Sequence, residues 1–216
     1  MSEKLERTRV TPRERHRRHA NPFAMRFDVA PVDLTVYARQ QPLALDIGFG
    51  EGIFAIDLAR KHPEWNVLGF EIREHYVRWL NDGARARDLA NLHGVQANAS
   101  THLDTVVPDK SVAFVAINFP DPWFKRRHIK RRVLNRDWLA TLEKKLIPEA
   151  ELHAMSDYEP IAREMNKVMS VAKGWEPIVP LTSTGPSTTG IMTEREARHS
   201  GRGELIHRMA YRFRGC

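Results

Sequence analysis

The feature that most narrows the folds open to this chain is a short apolar run that breaks into alternating glycines. Leu43 to Ile47 (LALDI) leads into Asp46-Ile47-Gly48-Phe49-Gly50-Glu51-Gly52, and a helical pattern, Ile53 to Lys61, follows directly. A buried strand that ends in glycines and feeds a helix is the opening unit of a parallel α/β sheet. Glycine has no Cβ, so backbone in this turn can pass close to a ligand at the carboxyl end of the strand. The spacing is G-x-G-x-G. It differs from the G-x-G-x-x-G of dinucleotide binders, and it lacks the Lys-Ser/Thr of a P-loop.

The remaining chain keeps alternating. Strands are predicted at Asn66–Glu71, Leu92–Ala97, Ser111–Phe119 and Glu151–Met155, with helices at Glu74–Ala90, Asp137–Leu146 and Ile161–Ala172. Two last strands, Trp175–Leu181 and Glu204–Phe213, have no helix predicted between them. Strands separated by helices imply right-handed βαβ units, and the closing pair implies an antiparallel edge hairpin. The expected fold is therefore α/β, a mostly parallel seven-stranded sheet. Asn21-Pro22 marks a boundary, giving a basic arm over residues 1–20 with no pattern that could pack, and one domain over 21–216. Thr182 to Gly190 (TSTGPSTTG) reads as a mobile loop.

Acids stand on both sides of the glycine turn. Asp46 precedes it, where a carboxylate can hold an amino group. Glu71 ends the second strand, 21 residues after Gly50, where an acid can accept both hydroxyls of a ribose. An acid, the Gly48–Gly50–Gly52 loop and a second acid describe a pocket for a cationic nucleoside such as S-adenosylmethionine. Asn98, after the third strand, can meet the adenine edge, or it can simply cap a loop.

Charge narrows the partner. Lys plus Arg number 34 against 27 Asp plus Glu, a net of +7. Residues 1–20 hold seven basic residues against three acidic, and residues 125–136 (KRRHIKRRVLNR) hold seven against none. These two segments carry more than the whole net charge, so the body is mildly acidic. Clusters of this kind suit a polyanion's phosphates. The single cysteine, Cys216, excludes a disulfide framework and zinc-finger chemistry, and it fits a reducing compartment. Neither a secretory signal nor an apolar run of the roughly 18 residues a membrane span needs is present. A cytoplasmic protein without membrane association is expected.

The fourth strand ends in Asn118-Phe119-Pro120-Asp121-Pro122-Trp123-Phe124-Lys125-Arg126-Arg127. The carboxyl end of the strand beside the cofactor strand is where substrate belongs. Two prolines hold Asp121 with little freedom left to lose. Trp123 offers a stacking face for a base, and Lys125, Arg126 and Arg127 can reach phosphates.

With these pieces the chain resembles the tRNA (guanine-N7)-methyltransferases over roughly residues 40–215. The matching segments are DIGFGEG at 46–52, GFEI at 69–72, NFPDPWFKRRHIKRR at 118–132, SDYEP at 156–160 and Thr193-Glu194-Arg195-Glu196-Ala197-Arg198. The resemblance implies a Rossmann-like class I methyltransferase fold. It implies methyl transfer from S-adenosylmethionine, leaving S-adenosylhomocysteine, to N7 of a guanosine in the tRNA variable loop, with no metal. Carried over residue by residue, Asp46, Glu71 and Asn98 would bind the cofactor and Asp121 would be the catalytic acid. Lys125, Asp157, Thr193 and Glu196 would bind substrate, in a monomer or homodimer. The usual Thr-Lys-Phe-Glu turn keeps only its outer residues here. Rival readings are a methyltransferase for another RNA, a small molecule or a protein, and a non-catalytic RNA-binding protein on the same scaffold.

Overall fold

A computed structural model describes residues 27–123, 129 and 131–215. The basic arm at 1–20 and the phosphate-contact candidates Lys125, Arg126 and Arg127 lie outside the described residues. Among the described residues seven strands form one sheet: β1 (Leu43–Ile47), β2 (Asn66–Glu71), β3 (Leu92–Gln96), β4 (Val112–Asn118), β5 (Leu146–Ser156), β6 (Trp175–Thr182) and β7 (His207–Phe213). Their order is β3-β2-β1-β4-β5-β7-β6, with β7 antiparallel to both β5 and β6 and every other pairing parallel. The order reverses between β1 and β4, which opens a crevice at their carboxyl ends.

Among the described residues six α-helices cover the faces: α1 (Ile53–Lys61), α2 (Glu74–Arg85), α3 (Ala99–Val106), α4 (Arg136–Lys145), α5 (Glu159–Met169) and α6 (Glu194–Ser200). Each face has its own core. Leu45, Ile47, Leu68, Ile117, Trp138 and Leu152 belong to one, and Ala44, Phe49, Leu58, Leu80, Phe114 and Ala116 to the other. The alternation along β1 and β4 is the two-residue period of a strand buried on both sides.

Two helices were not expected from the sequence. In α3, Ala99-Ser-Thr-His-Leu-Asp-Thr-Val is poor in strong helix formers, and its start is made by Asn98, whose Oδ1 accepts from the Ser100 amide at 3.0 Å. The second, α6, corrects the expectation that no helix separates the last two strands. It rests on a capping box in which Thr193 and Glu196 bond each other's backbone. Strand β5 also begins earlier than expected. Pro148 and Glu149 (φ 65°) fall where its pairing to β4 slips, so the proline sits in a bulge rather than a ladder.

The Thr182–Gly190 stretch, expected to be mobile, is tied down. Lys61 Nζ donates to the Thr189 carbonyl at 3.0 Å, and Thr188 Oγ1 meets His153 Nδ1 at 2.9 Å. Ser187 Oγ donates to the carbonyl of buried Ile191 at 2.8 Å.

Candidate active site

The glycine turn gives the crevice its floor. Gly48, Gly50 and Gly52 all have left-handed φ, at 75°, 59° and 76°. A Cβ at Gly48 or Gly50 would project into open space, so these two face the crevice. At Gly52 it would come within 2.6 Å of Leu80, so that glycine serves packing. Between them, the Phe49 ring packs down over Gly69 and Gly94, a register pair on β2 and β3 whose missing side chains make room for it.

The two acids of the site are in opposite states. Glu71 is saturated. It accepts from the backbone amides of Gly50 (3.1 Å), Ile72 (2.8 Å) and Arg73 (3.0 Å), and the Arg73 guanidinium donates through Nε at 3.0 Å and Nη2 at 2.9 Å. Asp46 is 1% exposed, and its Oδ2 has no hydrogen-bond partner. Burial first, and the charge of Glu71 second, push its pKa from 3.8 up to about 8. A neutral carboxyl with one oxygen unpartnered, beside an open glycine cradle, fits a ligand that brings a cation. S-adenosylmethionine, the cofactor expected from the sequence, carries such a group in its α-ammonium.

Asp121 is exposed, and its charge lies near enough to Arg73 to act weakly on that guanidinium. Burial opposes the Arg73 charge, but the Glu71 carboxylate, with smaller pulls from Tyr76 and Asp121, raises its pKa above the ordinary value. The Arg73 guanidinium also lies 4.3 Å from the Tyr76 ring centre. Sequence reading missed this arginine; its only signal was a place two residues after Glu71.

The loop bearing Asp121 is held at both ends. Phe119 and Trp123 have φ of 51° and 43°, which is costly for residues with a Cβ. The Phe119 amide donates to the Met155 carbonyl at 2.9 Å. Arg132 Nε donates to the Pro122 carbonyl at 2.9 Å, and its Nη1 pairs with Glu164 of α5. So one arginine of the run read as phosphate contacts, 16% exposed, is an internal clamp. Trp123, half-buried, has the Arg131 guanidinium 5.1 Å from its ring centre.

The remaining candidates gather at α6. Asp157 Oδ2 pairs with Arg195 Nη2 at 2.6 Å and His199 Nε2 at 3.1 Å. Glu196 is fully buried, paired to Arg208 at 2.7 Å and accepting the Thr193 amide at 3.3 Å. Thr193 Oγ1 accepts the Glu196 amide at 3.0 Å. Thr193 and Glu196 therefore anchor the helix from inside. Asn98 lies at the end of β3 as expected, with its Oδ1 occupied by the α3 cap.

This sheet order, glycine turn and pair of acids define a class I S-adenosylmethionine-dependent methyltransferase. Solved structures agree on the fold. The 16S rRNA methyltransferase KamB superposes with a TM-score of 0.63 at 18% identity, covering 83% of this chain and 91% of that one. The antibiotic-resistance methyltransferase Kmr gives 0.57 at 19%, covering 84% and 91%. Residues 40–209 match the family described as "Putative methyltransferase". The tRNA (guanine-N(7)-)-methyltransferase of Thermosynechococcus vestitus is 34% identical over 213 residues, 94% of this chain and 95% of that protein. The protein of the same name in Synechococcus elongatus is 41% identical over 160 residues, 71% and 75% of the two chains. The chain belongs to the tRNA (guanine-N7)-methyltransferase family.

Proposed function

We propose that this protein transfers the methyl group of S-adenosylmethionine to N7 of a guanosine in the variable loop of tRNA. The observation that carries the reading is the buried, neutral Asp46 carboxyl, with one oxygen unpartnered, beside the open Gly48–Gly50 cradle. Asp46 would take the cofactor's ammonium, Glu71 its ribose hydroxyls in competition with Arg73, and the Asn98 region its adenine edge. Bound there, the cofactor supplies an electrophilic methyl group on a sulfonium.

The residues around it do the orienting. Guanine N7 has an in-plane lone pair and no proton, so no side chain has to act as a general base. Asp121 accepts from the N1 and N2 hydrogens of the base and offsets the positive charge that methylation puts on the purine. Orientation of this kind can supply about 7–11 kcal/mol of barrier lowering. Trp123 flanks the base, while Lys125, Arg126 and Arg127 take tRNA phosphates. Asp157, Thr193 and Glu196 act on the substrate side indirectly, by fixing α6 against the root of the Asp121 loop.

Incubation with labelled cofactor and unmodified tRNA, followed by nucleoside analysis, tests the reading. 7-Methylguanosine confined to the variable loop is expected; label in another nucleoside, or none, overturns it. Asp121→Ala should lower turnover by about 10²-fold or more, the scale of losing one transition-state contact, with cofactor affinity changed far less. Wild-type turnover in that variant would remove Asp121 from the chemistry.

A further inference from the structure

The catalytic loop leaves β4 through Phe119, and Phe119 is strained. Its φ of 51° puts a bulky side chain in the left-handed region, one residue before Pro120 and two before Asp121. Such a conformation persists only where the surroundings impose it. The backbone bond to Met155 imposes part of it. Helix α6 also meets the Phe119 ring, with two side chains. The Arg195 guanidinium carbon lies 5.0 Å from the ring centre, and the His199 ring stacks on it at 6.2 Å with an interplanar angle of 16°.

Both of those side chains are gathered on one atom, Asp157 Oδ2. The His199 Nδ1 side is closed by Glu204. The helix beneath them is fixed by the buried Glu196–Arg208 pair. A continuous set of contacts thus runs from the end of β5 through α6 to the root of the Asp121 loop. Arginine suits the middle place, because a planar guanidinium can stack on an aromatic face while its edge donates to a carboxylate.

We propose that Arg195 is a positioning residue for the methyl transfer. It sets Asp121 through Phe119, and Asp157 contributes by holding Arg195 and His199. This rests on the tRNA (guanine-N7) reading above, and it turns the substrate-side role of Asp157 into an indirect one.

Two measurements on the full-length protein test it. Misplacing a reacting group by about 1 Å can cost about 10²-fold, so Arg195→Ala should lower kcat about 10- to 100-fold. KM for cofactor and for tRNA should stay within about twofold, since neither binding surface is removed. Arg195→Lys keeps the ion pair with Asp157 but lacks the stacking plane, and should recover only part of the loss. Phe119→Leu combined with Arg195→Ala should be no worse than the more damaging single change, because both act through one contact. Hydrogen exchange of the amides at 118–123, measured without substrate, should quicken in Arg195→Ala while the amides of β4 and β5 stay protected.

A loss that appears in KM for tRNA together with a shallower salt dependence would make Arg195 a phosphate contact and overturn the proposal. So would unchanged exchange at 118–123. Wild-type protein that makes no 7-methylguanosine would fail the functional reading alone, and the exchange measurement would still decide the role of Arg195.

Discussion

Asp46→Asn should make the free protein more stable and its cofactor weaker in one step. Asp46 is buried with one oxygen unpartnered, and its pKa is raised from 3.8 to about 8, by burial first and Glu71 second. The folded state therefore holds a proton that the unfolded chain gives up between those values. A group raised in this way contributes its stability fully below pH 3.8 and loses it as pH rises toward 8. At about 1.4 kcal/mol per pH unit, the loss by pH 7 is about 4 kcal/mol. The isosteric amide has no proton to exchange and escapes that loss, but leaving its own NH2 poorly bonded costs about 1–3 kcal/mol. The net gain is about 1–3 kcal/mol, and a chain of this size shifts Tm by about 2–4 °C per kcal/mol. Scanning calorimetry without ligand should show Tm higher by about 2–12 °C at pH 7, with the difference shrinking as pH falls and reversing sign near pH 4. The same variant loses a charge-assisted bond to the cofactor's ammonium, worth about 1.5–3 kcal/mol, so Kd for S-adenosylmethionine should rise roughly 10- to 150-fold. A variant with wild-type Tm and wild-type affinity would refute the assignment of Asp46.

The titration of Asp46 also predicts that cofactor binding at pH 7 releases about 0.9 proton, since a group of pKa about 8 must ionise to meet the ammonium. Calorimetry in buffers of different ionisation heat reads this number, and zero release would contradict it. His153 titrates the other way. Burial lowers its pKa below 6.5, only partly offset by Glu151, so its share of stability is intact above 6.5 and drains as pH falls. Hydrogen exchange over 182–191, corrected for intrinsic rate, should quicken from pH 7.5 to pH 5, and His153→Gln should flatten that response. Salt titrations separate the arginines. Neutralising a true phosphate contact such as Arg126 should reduce the slope of log K against log salt by about 0.7–0.9, whereas Arg132→Gln should leave the slope alone and lower kcat. A slope change in Arg132→Gln would undo the clamp assigned to it.

Much of this site is written in local sequence. β1, α1 and β2 fall where apolar runs, glycines and Pro63 put them, because each is one uninterrupted pattern bounded by breakers. The glycine turn, Asp46 and Glu71 come with them, since all three belong to the ends of those elements. The two missed helices show the limit. α3 has Ser, Thr and Asp where strong helix formers would stand, and its one legible sign was Asn98 as a cap. α6 spans seven residues and depends on the buried Glu196–Arg208 pair, a contact 12 residues apart that no periodicity announces. Arg132, Arg73 and Arg195 were equally invisible. In a run or a turn, a basic residue reads as surface charge until tertiary packing supplies a carboxylate or a ring for it.

The distribution of unmet hydrogen bonds points to where binding free energy enters. Among the described residues, buried side-chain atoms without partners are found on Asp46, Asn118 and Asn66. Asp46 and Asn118 lie toward the carboxyl ends of the neighbouring strands β1 and β4, where the strand order reverses. Leaving such atoms unpaired costs about 1–3 kcal/mol each, so, Asn66 at the amino end of β2 apart, the fold carries its deficit at the carboxyl ends of β1 and β4. Glu71 does the opposite, its carboxylate saturated by three amides and Arg73 before any ligand arrives. A rigid, satisfied acid defines the shape of the pocket. The unsatisfied one gains most when a ligand ionises it, and that gain favours a cationic cofactor over a neutral nucleoside of the same outline. Removing the deficit at Asp46 should therefore erase discrimination between S-adenosylmethionine and a deaminated analogue. Competition between the two ligands on wild type and Asp46→Asn would measure it, and equal preference in both proteins would locate the cation's site elsewhere.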